Sequence, residues 1–255
     1  AARPIIGADG GNVATLNMLG YLSNLRVVNG TAVYTGPFVP PTAPVTAVSG
    51  TQLLVNGTNA GIFDNTTVND LETIGSAQVN TTIVKYGTGS MYFNGVSGSY
   101  IKIPSTPNLT LGSGDWTIEC WAYYAAIGGA GNGTLYEQRD GTNTAVPLIY
   151  LSGSTLIYYT GGAARITGGT MSTGQWYHIA VCRASGSTRM FVNGTQVGST
   201  YADSTTYVQT PVFLGSDYNG TSNLLNGYID DMRVTKGYAR YTANFTPPAA
   251  AFPNF

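Results

Sequence analysis

One segment of this 255-residue chain occurs twice. Residues 20–41 (GYLSNLRVVNGTAVYTGPFVPP) align without a gap with residues 227–248 (GYIDDMRVTKGYARYTANFTPP), at an offset of 207. Self-similarity at a fixed period is typical of tandem arrays that repeat one structural unit. We therefore expect a unit of about 200 residues, with residues 1–41 as the end of a preceding copy plus a Pro-rich linker, and residues 42–255 as the next copy. The identical positions of the first copy are Gly20, Tyr21, Arg26, Val27, Gly30, Ala32, Tyr34, Thr35, Phe38, Pro40 and Pro41.

The rest of the chain has the pattern of short β-strands separated by turns. Residues 116–124 (WTIECWAYY) alternate between two faces, because successive side chains of a strand point to opposite sides. Residues 176–183 and 188–192 flank a turn that contains Gly186, and Asn94-Gly95 lies between the apolar runs of residues 90–103. Both arrangements predict β-hairpins. The residues expected in or beside the core are Trp116, Ile118, Tyr177, Ile179, Val181, Phe191 and Phe213.

Composition excludes two classes of partner. Charged residues make up 9% of the chain and the net charge is −1, so that no basic surface exists to bind the phosphates of nucleic acid. No run of about 18 apolar residues is present, which excludes a membrane-spanning helix.

Two cysteines, Cys120 and Cys182, are too few for a disulfide framework. We expect two buried thiols, with a bridge between strands as the alternative.

Five motifs in a fixed order carry a resemblance to a known family. Their order and most of their residues resemble the laminin G-like branch of the concanavalin A-like lectin/glucanase superfamily, over roughly residues 50–248. The resemblance implies an all-β protein, a two-sheet antiparallel jelly-roll sandwich with an N-terminal partial copy of the same unit. The extension after residue 234 is similar to tandem repeats in large structural proteins of bacteriophages, especially from marine and cyanobacterial hosts. The motifs are residues 90–95 (SMYFNG), 116–121 (WTIECW), 176–181 (WYHIAV), 189–194 (RMFVNG) and 227–234 (GYIDDMRV).

Glucanases of this superfamily carry paired carboxylates on one strand, and this chain lacks that pattern. Its three glutamates, Glu72, Glu119 and Glu137, lie in separate segments. The one histidine, His178, lies in mid-strand beside Trp176, where a structural role is more common than a role as a base. We therefore expect the protein not to be an enzyme, since glycoside hydrolysis needs two carboxyl groups on either side of the bond.

Two loops are candidates for a calcium site. Asp140 and Asn143 follow one strand, Asp217 follows another, and Ca²⁺ takes six to eight oxygen ligands from loops of this kind. Related domains hold calcium with loop acids on one rim. The alternative is that these residues only form turns, in which Asp and Asn are common. Calcium is the one cofactor that the sequence suggests.

Four tyrosines are candidates for a glycan-binding platform, because aromatic rings offer a flat apolar face with a polar edge. We expect a non-catalytic structural or adhesion protein of a virion, such as a fibre, a tail appendage or a capsid-surface decoration, located at the virion surface or outside the cell. Its partners would be other virion proteins, copies of itself or a host-surface glycan. The alternative is a carbohydrate-binding module of a secreted or cell-surface protein. The platform candidates are Tyr123, Tyr124, Tyr158 and Tyr159.

The repeated segment itself predicts further contacts. Asp230 and Asp231 are neighbours on one strand, so we expect hydrogen-bonding side chains on opposite faces. Arg233 and its twin Arg26 are expected to hold a neighbouring loop. Residues 20–41 are expected to be ordered and to pack on a sheet of the next unit or of another chain, because an unpaired apolar strand is costly.

Overall fold

The computed structural model describes residues 18–19, 22, 24–43, 45–55, 62, 69–128 and 133–253. The chain divides into two compact units, Ala1–Ala60 and Gly61–Phe255, so the division falls later than the boundary at residues 41–42 that the repeat predicts. Of the described residues, none forms a helix long and apolar enough to cross a membrane.

The first unit contains a two-stranded antiparallel ladder. Its strands are β1 (Leu25–Val28) and β2 (Thr51–Val55). At the turn that leads into β2, Gly50 has a φ of 81° and its carbonyl accepts a hydrogen bond of 2.8 Å from the amide of Asn29. A side chain at this position would collide with the carbonyl oxygen of Asn29, which explains why glycine is needed there.

The second unit consists of two seven-stranded antiparallel sheets. In spatial order the first sheet contains β11 (Ala163–Thr170), β10 (Thr155–Thr160), β9 (Leu148–Ser152), β8 (Tyr136–Glu137), β15 (Val212–Leu214), β6 (Tyr100–Ile103) and β3 (Glu72–Ile74). The second sheet contains β14 (Thr195–Ala202), β13 (Ser187–Val192), β12 (Trp176–Ala184), β7 (Trp116–Tyr124), β16 (Asn226–Lys236), β5 (Ser90–Asn94) and β4 (Gln78–Asn80). The only helix among the described residues is the short 3-10 turn Pro107–Leu109.

The alternation in β7 places the core as the sequence predicts. Trp116, Ile118 and Cys120 are buried in the main hydrophobic core, while the residues between them lie on the other face of the second sheet. All seven residues expected in or beside the core are buried, which confirms that prediction. Two apolar faces packed against each other, with strand neighbours far apart in the sequence, make a jelly-roll sandwich.

One of the two predicted hairpins is present. β12 and β13 pair through the two-residue turn Ser185-Gly186, and β13 and β14 pair through Asn193-Gly194. In both turns each of the two residues has a positive φ, the geometry that matches the twist of the flanking strands. The hairpin register brings His178 and Phe191 onto one face of the sheet.

The hairpin predicted for residues 90–103 was wrong. β5 lies in the second sheet and β6 in the first, so the Asn94-Gly95 turn carries the chain from one sheet to the other. Gly95 has a φ of 70°, and a side chain there would lie 2.9 Å from Cβ of Asn226 on β16. The turn signal was correct, but it marks a close approach to a neighbouring strand rather than a hairpin.

Candidate functional site: the outer face of the second sheet

The face of the second sheet that points away from the core, called the outer face below, is partly covered by residues 238–252, called the C-terminal strap. Apolar side chains of the strap pack on three buried residues of β12 and β13, Ala180, Cys182 and Phe191. The strap residues in this contact are Ala239, Tyr241 and Phe245. The strap therefore closes one part of the outer face with a small core of its own.

The strap also pairs with the β13–β14 turn. The amide of Phe245 donates a hydrogen bond of 2.9 Å to the carbonyl of Gly194, and the rings of Tyr241 and Phe245 stack with centroids 3.5 Å apart. A side chain at Gly194 would collide with the carbonyl oxygen of Phe245. The Asn-Gly turn thus serves the strap as well as the hairpin, because only glycine allows this approach.

Glu119 lies at the centre of the covered region. Its carboxylate accepts hydrogen bonds from Nε of Arg233 at 2.9 Å and from the hydroxyl of Tyr241 at 2.9 Å, and it pairs with Nε2 of His178 at 3.2 Å. Arg240 adds a longer ion pair of 3.5 Å. The Glu119 side chain is fully buried. A buried carboxylate with this many donors ties β7, β12, β16 and the strap together.

The pKa of Glu119 reflects two opposed effects. Burial raises the pKa, but the hydrogen bond from His178 and the charge of Arg233 outweigh it, so that the pKa of Glu119 lies below its usual value. His178 is itself completely buried, between the ring of Trp121 and the strap. An ionised carboxylate without access for water or substrate acts as a structural anchor.

The two cysteines lie on opposite faces of the second sheet. Cys120 is in the main core and Cys182 is beneath the strap, and both are free thiols, as the sequence predicts. Burial raises the pKa of the Cys182 thiol to about 11. A protonated thiol beneath a covering segment is a weak nucleophile.

The prediction that Asp230 and Asp231 point to opposite faces was wrong. A bulge in β16 interrupts the alternation, and Asp231 has a φ of 48°. Asp230 accepts a hydrogen bond of 2.8 Å from the amide of Lys85, and Asp231 accepts one of 3.0 Å from the amide of Phe252. Both carboxylates therefore hold segments over the outer face, and their predicted role as hydrogen-bonding positions is confirmed.

The predicted role for the two arginines is also found. Arg26 donates from Nη1 to the carbonyl of Thr46 at 2.6 Å and so holds a loop of the first unit. The guanidinium of Arg233 lies 3.9 Å from the ring centre of Phe252, at the end of the strap, in addition to its bond with Glu119. Arg233 is therefore held between a carboxylate and an aromatic face.

Beyond the strap, a row of four half-exposed aromatic side chains crosses the outer face, called the aromatic row below. Tyr92 on β5, Tyr228 on β16, Tyr123 on β7 and Trp176 on β12 are direct cross-strand partners. Their ring centroids are 5.0, 5.5 and 5.5 Å apart in that order. Four adjacent strands thus present a continuous aromatic surface, in which each ring supports the next.

Neutral amides border the aromatic row. Asn94 and Asn226 are cross-strand partners on β5 and β16, two residues from Tyr92 and Tyr228 on the same strands. Gln78 on the edge strand β4 is paired with Tyr92 and is exposed. The surface therefore combines apolar aromatic area with uncharged donors and acceptors of hydrogen bonds.

The motifs, the sandwich and this face can now be compared with known proteins. The family model described as the concanavalin A-like lectin/glucanases superfamily matches residues 94–240, which is more than half of the chain. The chain belongs to this superfamily. Comparison with curated proteins gives no match.

Solved structures with a similar fold include two toxin binding domains. The binding domain of Paraclostridial Mosquitocidal Protein 1 has a TM-score of 0.51 at 14% identity, over 70% of this chain and 45% of that chain. The receptor binding domain of botulinum neurotoxin C/D mosaic serotype has a TM-score of 0.51 at 10% identity, over 76% of this chain and 46% of that chain. This superfamily member thus spans less than half of either structure, and the likeness is one of fold.

The structure separates the four tyrosines predicted as a glycan platform. Tyr123 lies in the aromatic row, and Tyr159 lies on the first sheet, 5.2 Å from the guanidinium of Arg139. Tyr124 and Tyr158 point into the core and are completely buried, so neither can contact a glycan, and this part of the prediction is corrected. Neighbouring residues of a strand face opposite ways, and a run of two tyrosines contributes only one to each face.

Three residues of the aromatic row were missed by the sequence analysis: Tyr92, Tyr228 and Trp176. Each lies in a motif that was recognised, but their neighbourhood depends on the register between strands far apart in the chain. The signal available in the sequence was the alternation of each strand. Tyr123, Trp176 and Tyr228 each lie two residues from another residue on the outer face of the same strand.

The two loops predicted to form a calcium rim lie next to each other in this superfamily member. A side chain at Gly141 would lie 3.0 Å from the ring of Tyr218. Oδ1 of Asp140 accepts bonds from the amides of Thr142 and Asn143 at 2.9 and 2.7 Å, and Asp217 accepts two amide bonds from its own loop.

These bonds are those of ordinary turns. Slight burial raises the pKa of Asp140, but the hydrogen bonds from Asn143 and Thr142 outweigh it and lower the pKa. Within the described part of the chain, no group of three His, Cys, Asp or Glu residues is placed to hold a metal ion. The calcium site formed by Asp140, Asn143 and Asp217 stays a prediction.

Proposed function

We propose that the protein is a non-catalytic adhesion domain that holds a glycan on the aromatic row. The single observation that carries this proposal is the continuous contact of Tyr92, Tyr228, Tyr123 and Trp176 across four strands. Sugar rings have one apolar face of C–H groups, which packs on an aromatic ring while the hydroxyl groups point outward. A row of four rings offers several such positions in a line, as an oligosaccharide requires.

The surroundings of the row favour a neutral glycan. Asn94, Asn226 and Gln78 can each donate and accept hydrogen bonds without charge. Lys85 lies 4.0 Å from the ring centre of Trp121 and is engaged there by a cation–π contact. The three amides offer an acidic glycan no ion pair.

The carboxylates support a role without catalysis. The side chains of Glu119 and Glu137 are fully buried, Glu119 in the anchor beneath the strap and Glu137 in a bond of 2.6 Å with Nη2 of Arg139. Glu72 is exposed and pairs with Lys102. Glycoside hydrolysis needs two carboxyl groups about 5 to 10 Å apart with access to the sugar, and these three glutamates are in three different surroundings.

We further propose that this adhesion domain belongs to a virion, as part of a fibre, a tail appendage or a capsid-surface decoration. The repeat of residues 20–41 at residues 227–248 supports a tandem array, which would give such an appendage reach. The virion setting rests on the resemblance of this repeat to phage structural proteins. A carbohydrate-binding module of a secreted or cell-surface protein would use the same aromatic row.

Binding of the full-length chain to an immobilised array of neutral and acidic oligosaccharides tests the glycan proposal. We expect binding to neutral oligosaccharides that is lost in the Tyr123→Ala/Tyr228→Ala variant and kept in Tyr159→Ala. A wild-type protein that binds nothing on the array, or binds through Tyr159, would contradict the proposal. Detection of its peptides by mass spectrometry in purified phage particles would support the virion setting, and detection only in a host secretome would contradict it.

A further inference from the structure

The repeated segment has the same unusual backbone conformation at two positions in both units. Residues 24–39, called the N-terminal arm below, correspond to residues 231–246. Asn24 and Asp231 have φ angles of 58° and 48°, and Gly30 and Gly237 have 82° and 83°. A positive φ is unusual for a residue other than glycine, and its recurrence at Asn24 shows that this local backbone conformation is repeated.

The stacked aromatic pair is repeated as well. Tyr34 and Phe38 stack with ring centroids 3.8 Å apart and planes at 11°, as Tyr241 and Phe245 stack at 3.5 Å and 6°. In the second unit this pair is half-buried against Phe191. In the first unit Tyr34 is 45% exposed and Phe38 is 54% exposed. Residues 31–39 of the N-terminal arm thus correspond to the strap, and the stacked pair that they carry is exposed.

The residues that are identical between the two copies include three that contact Glu119 or Phe191 in the second unit. Arg233 and Tyr241 bind the carboxylate of Glu119, and Phe245 contacts Phe191. Their counterparts are Arg26, Tyr34 and Phe38, the same residue types at the same offset. Arg233 itself lies on the central strand β16, so a partner sheet supplies that arginine, and the docking residues of the arm are Tyr34 and Phe38.

A cavity of about 290 Å³ lies beside the N-terminal arm. It is lined by residues of the first unit that include Asn24, Arg26 and Tyr34. In the second unit the corresponding residues enclose Glu119 and its neighbour Thr117, whose hydroxyl donates to the carbonyl of Tyr238 at 3.2 Å. Arg26 and Tyr34 thus line a cavity in the first unit, whereas their counterparts Arg233 and Tyr241 bind a carboxylate of the central strand β7 in the second unit.

From this correspondence we infer that the N-terminal arm is a docking element for a second sandwich unit of the same kind. The partner it fits is a concanavalin A-like sheet whose outer face has no strap of its own and carries a glutamate and an aromatic residue at the positions of Glu119 and Phe191. Tyr34 binds that carboxylate, and Tyr34 and Phe38 cover the apolar patch beside it.

Thiol labelling of Cys182 measures this docking, because Cys182 lies beneath the strap while Cys120 lies in the main core. The acceptor is the full-length chain with Tyr241→Ala and Phe245→Ala, which uncover the outer face, and with Tyr34→Ala and Phe38→Ala, which disable its own arm. The donor is the full-length chain with Cys182→Ala and an intact arm. The control donor carries Cys182→Ala, Tyr34→Ala and Phe38→Ala.

We expect Cys182 of the acceptor to react with a maleimide at least tenfold faster than in a chain with an intact strap, while Cys120 stays protected. Increasing donor should slow this reaction at least tenfold at saturation, and the control donor should leave it unchanged. If Cys120 of the acceptor reacts as fast as Cys182, the acceptor has unfolded, and the experiment is repeated with an acceptor in which Phe245→Ala is the only substitution in the strap. A folded acceptor whose labelling rate is unaffected by the donor, or is slowed equally by both donors, would overturn the inference.

Discussion

The hydroxyl of Tyr241 donates a hydrogen bond of 2.9 Å to Oε2 of Glu119, which joins the C-terminal strap to the middle of the second sheet. The same carboxylate binds Arg233 and His178. One buried charge therefore sets where the strap lies on the outer face, and the strap in turn leaves the aromatic row uncovered. The stability of the sandwich and the shape of its candidate binding face depend on the same group.

We expect Glu119→Gln to lower the free energy of unfolding by about 3 kcal/mol, because it leaves Arg233 without a buried counter-charge. Urea unfolding at pH 7 measures this change. The matched control is Glu72→Gln, whose partner Lys102 is partly exposed, and it should cost about 1 kcal/mol or less. Equal losses in the two variants would contradict the role given to Glu119.

Acid should weaken the fold through Glu119 and not through Glu137. The folded pKa of Glu119 is lowered, so its contribution is present above the unfolded value near 4.5 and is lost as the pH falls through the folded pKa. Burial raises the pKa of Glu137 despite Arg139, so protonation of Glu137 favours the folded state as the pH falls.

Substitution of the two glutamates should therefore change the pH dependence of the stability in opposite directions. Between pH 7 and pH 3, Glu119→Gln should lose less stability than the wild type, and Glu137→Gln should lose more. Urea unfolding at the two pH values measures both differences. The same pH dependence in all three proteins would show that neither carboxyl group has a shifted pKa.

We expect Phe245→Ala to loosen the strap without unfolding the core. Removing a half-buried ring should cost about 1–2 kcal/mol, and Cys182 should react with a thiol reagent faster than in the wild type while Cys120 stays protected. Mass spectrometry of the labelled peptides distinguishes the two sites. Parallel increases at both cysteines would mean that the strap and the sandwich unfold together.

Calcium at millimolar concentration should leave the melting temperature of the wild type unchanged, because the turn amides already occupy Oδ1 of Asp140 and Oδ1 of Asp217. Differential scanning fluorimetry with and without a chelator measures this. A rise that disappears in Asp217→Ala would instead support the calcium site predicted from the sequence, since a ligand stabilises only the state that binds it.

The fold could be predicted because it follows from local signals. The alternation of residues 116–124 and the glycines of the two turns after β12 and β13 are properties of single segments. The hairpin at Asn94-Gly95 failed because a turn signal says that the chain reverses or bends and does not say which sheet the next strand joins. Asp231 does not follow the alternation of side chains between the two faces, because a bulge adds a residue to one strand only.

The candidate site was harder to predict because it depends on the register in which distant strands pair. Tyr123 was found, while Tyr92, Tyr228 and Trp176 become its neighbours only through the pairing of four strands. The burial of Glu119 was equally hidden, since its donors Arg233 and Tyr241 lie more than a hundred residues away in the chain. The repeat indicated that residues 227–248 form a recurring structural element, but it did not indicate that part of this segment covers the outer face of a sheet.

Isothermal titration with the oligosaccharide that binds best on the array tests the central claim most directly. The account predicts that Tyr228→Ala, in the middle of the aromatic row, weakens binding by at least tenfold, about 1.4 kcal/mol. It also predicts that Tyr159→Ala, on the first sheet, leaves the affinity unchanged and that both variants keep the melting temperature within a few degrees of the wild type. Unchanged affinity in folded Tyr228→Ala would contradict the assignment of the aromatic row as the glycan-binding surface.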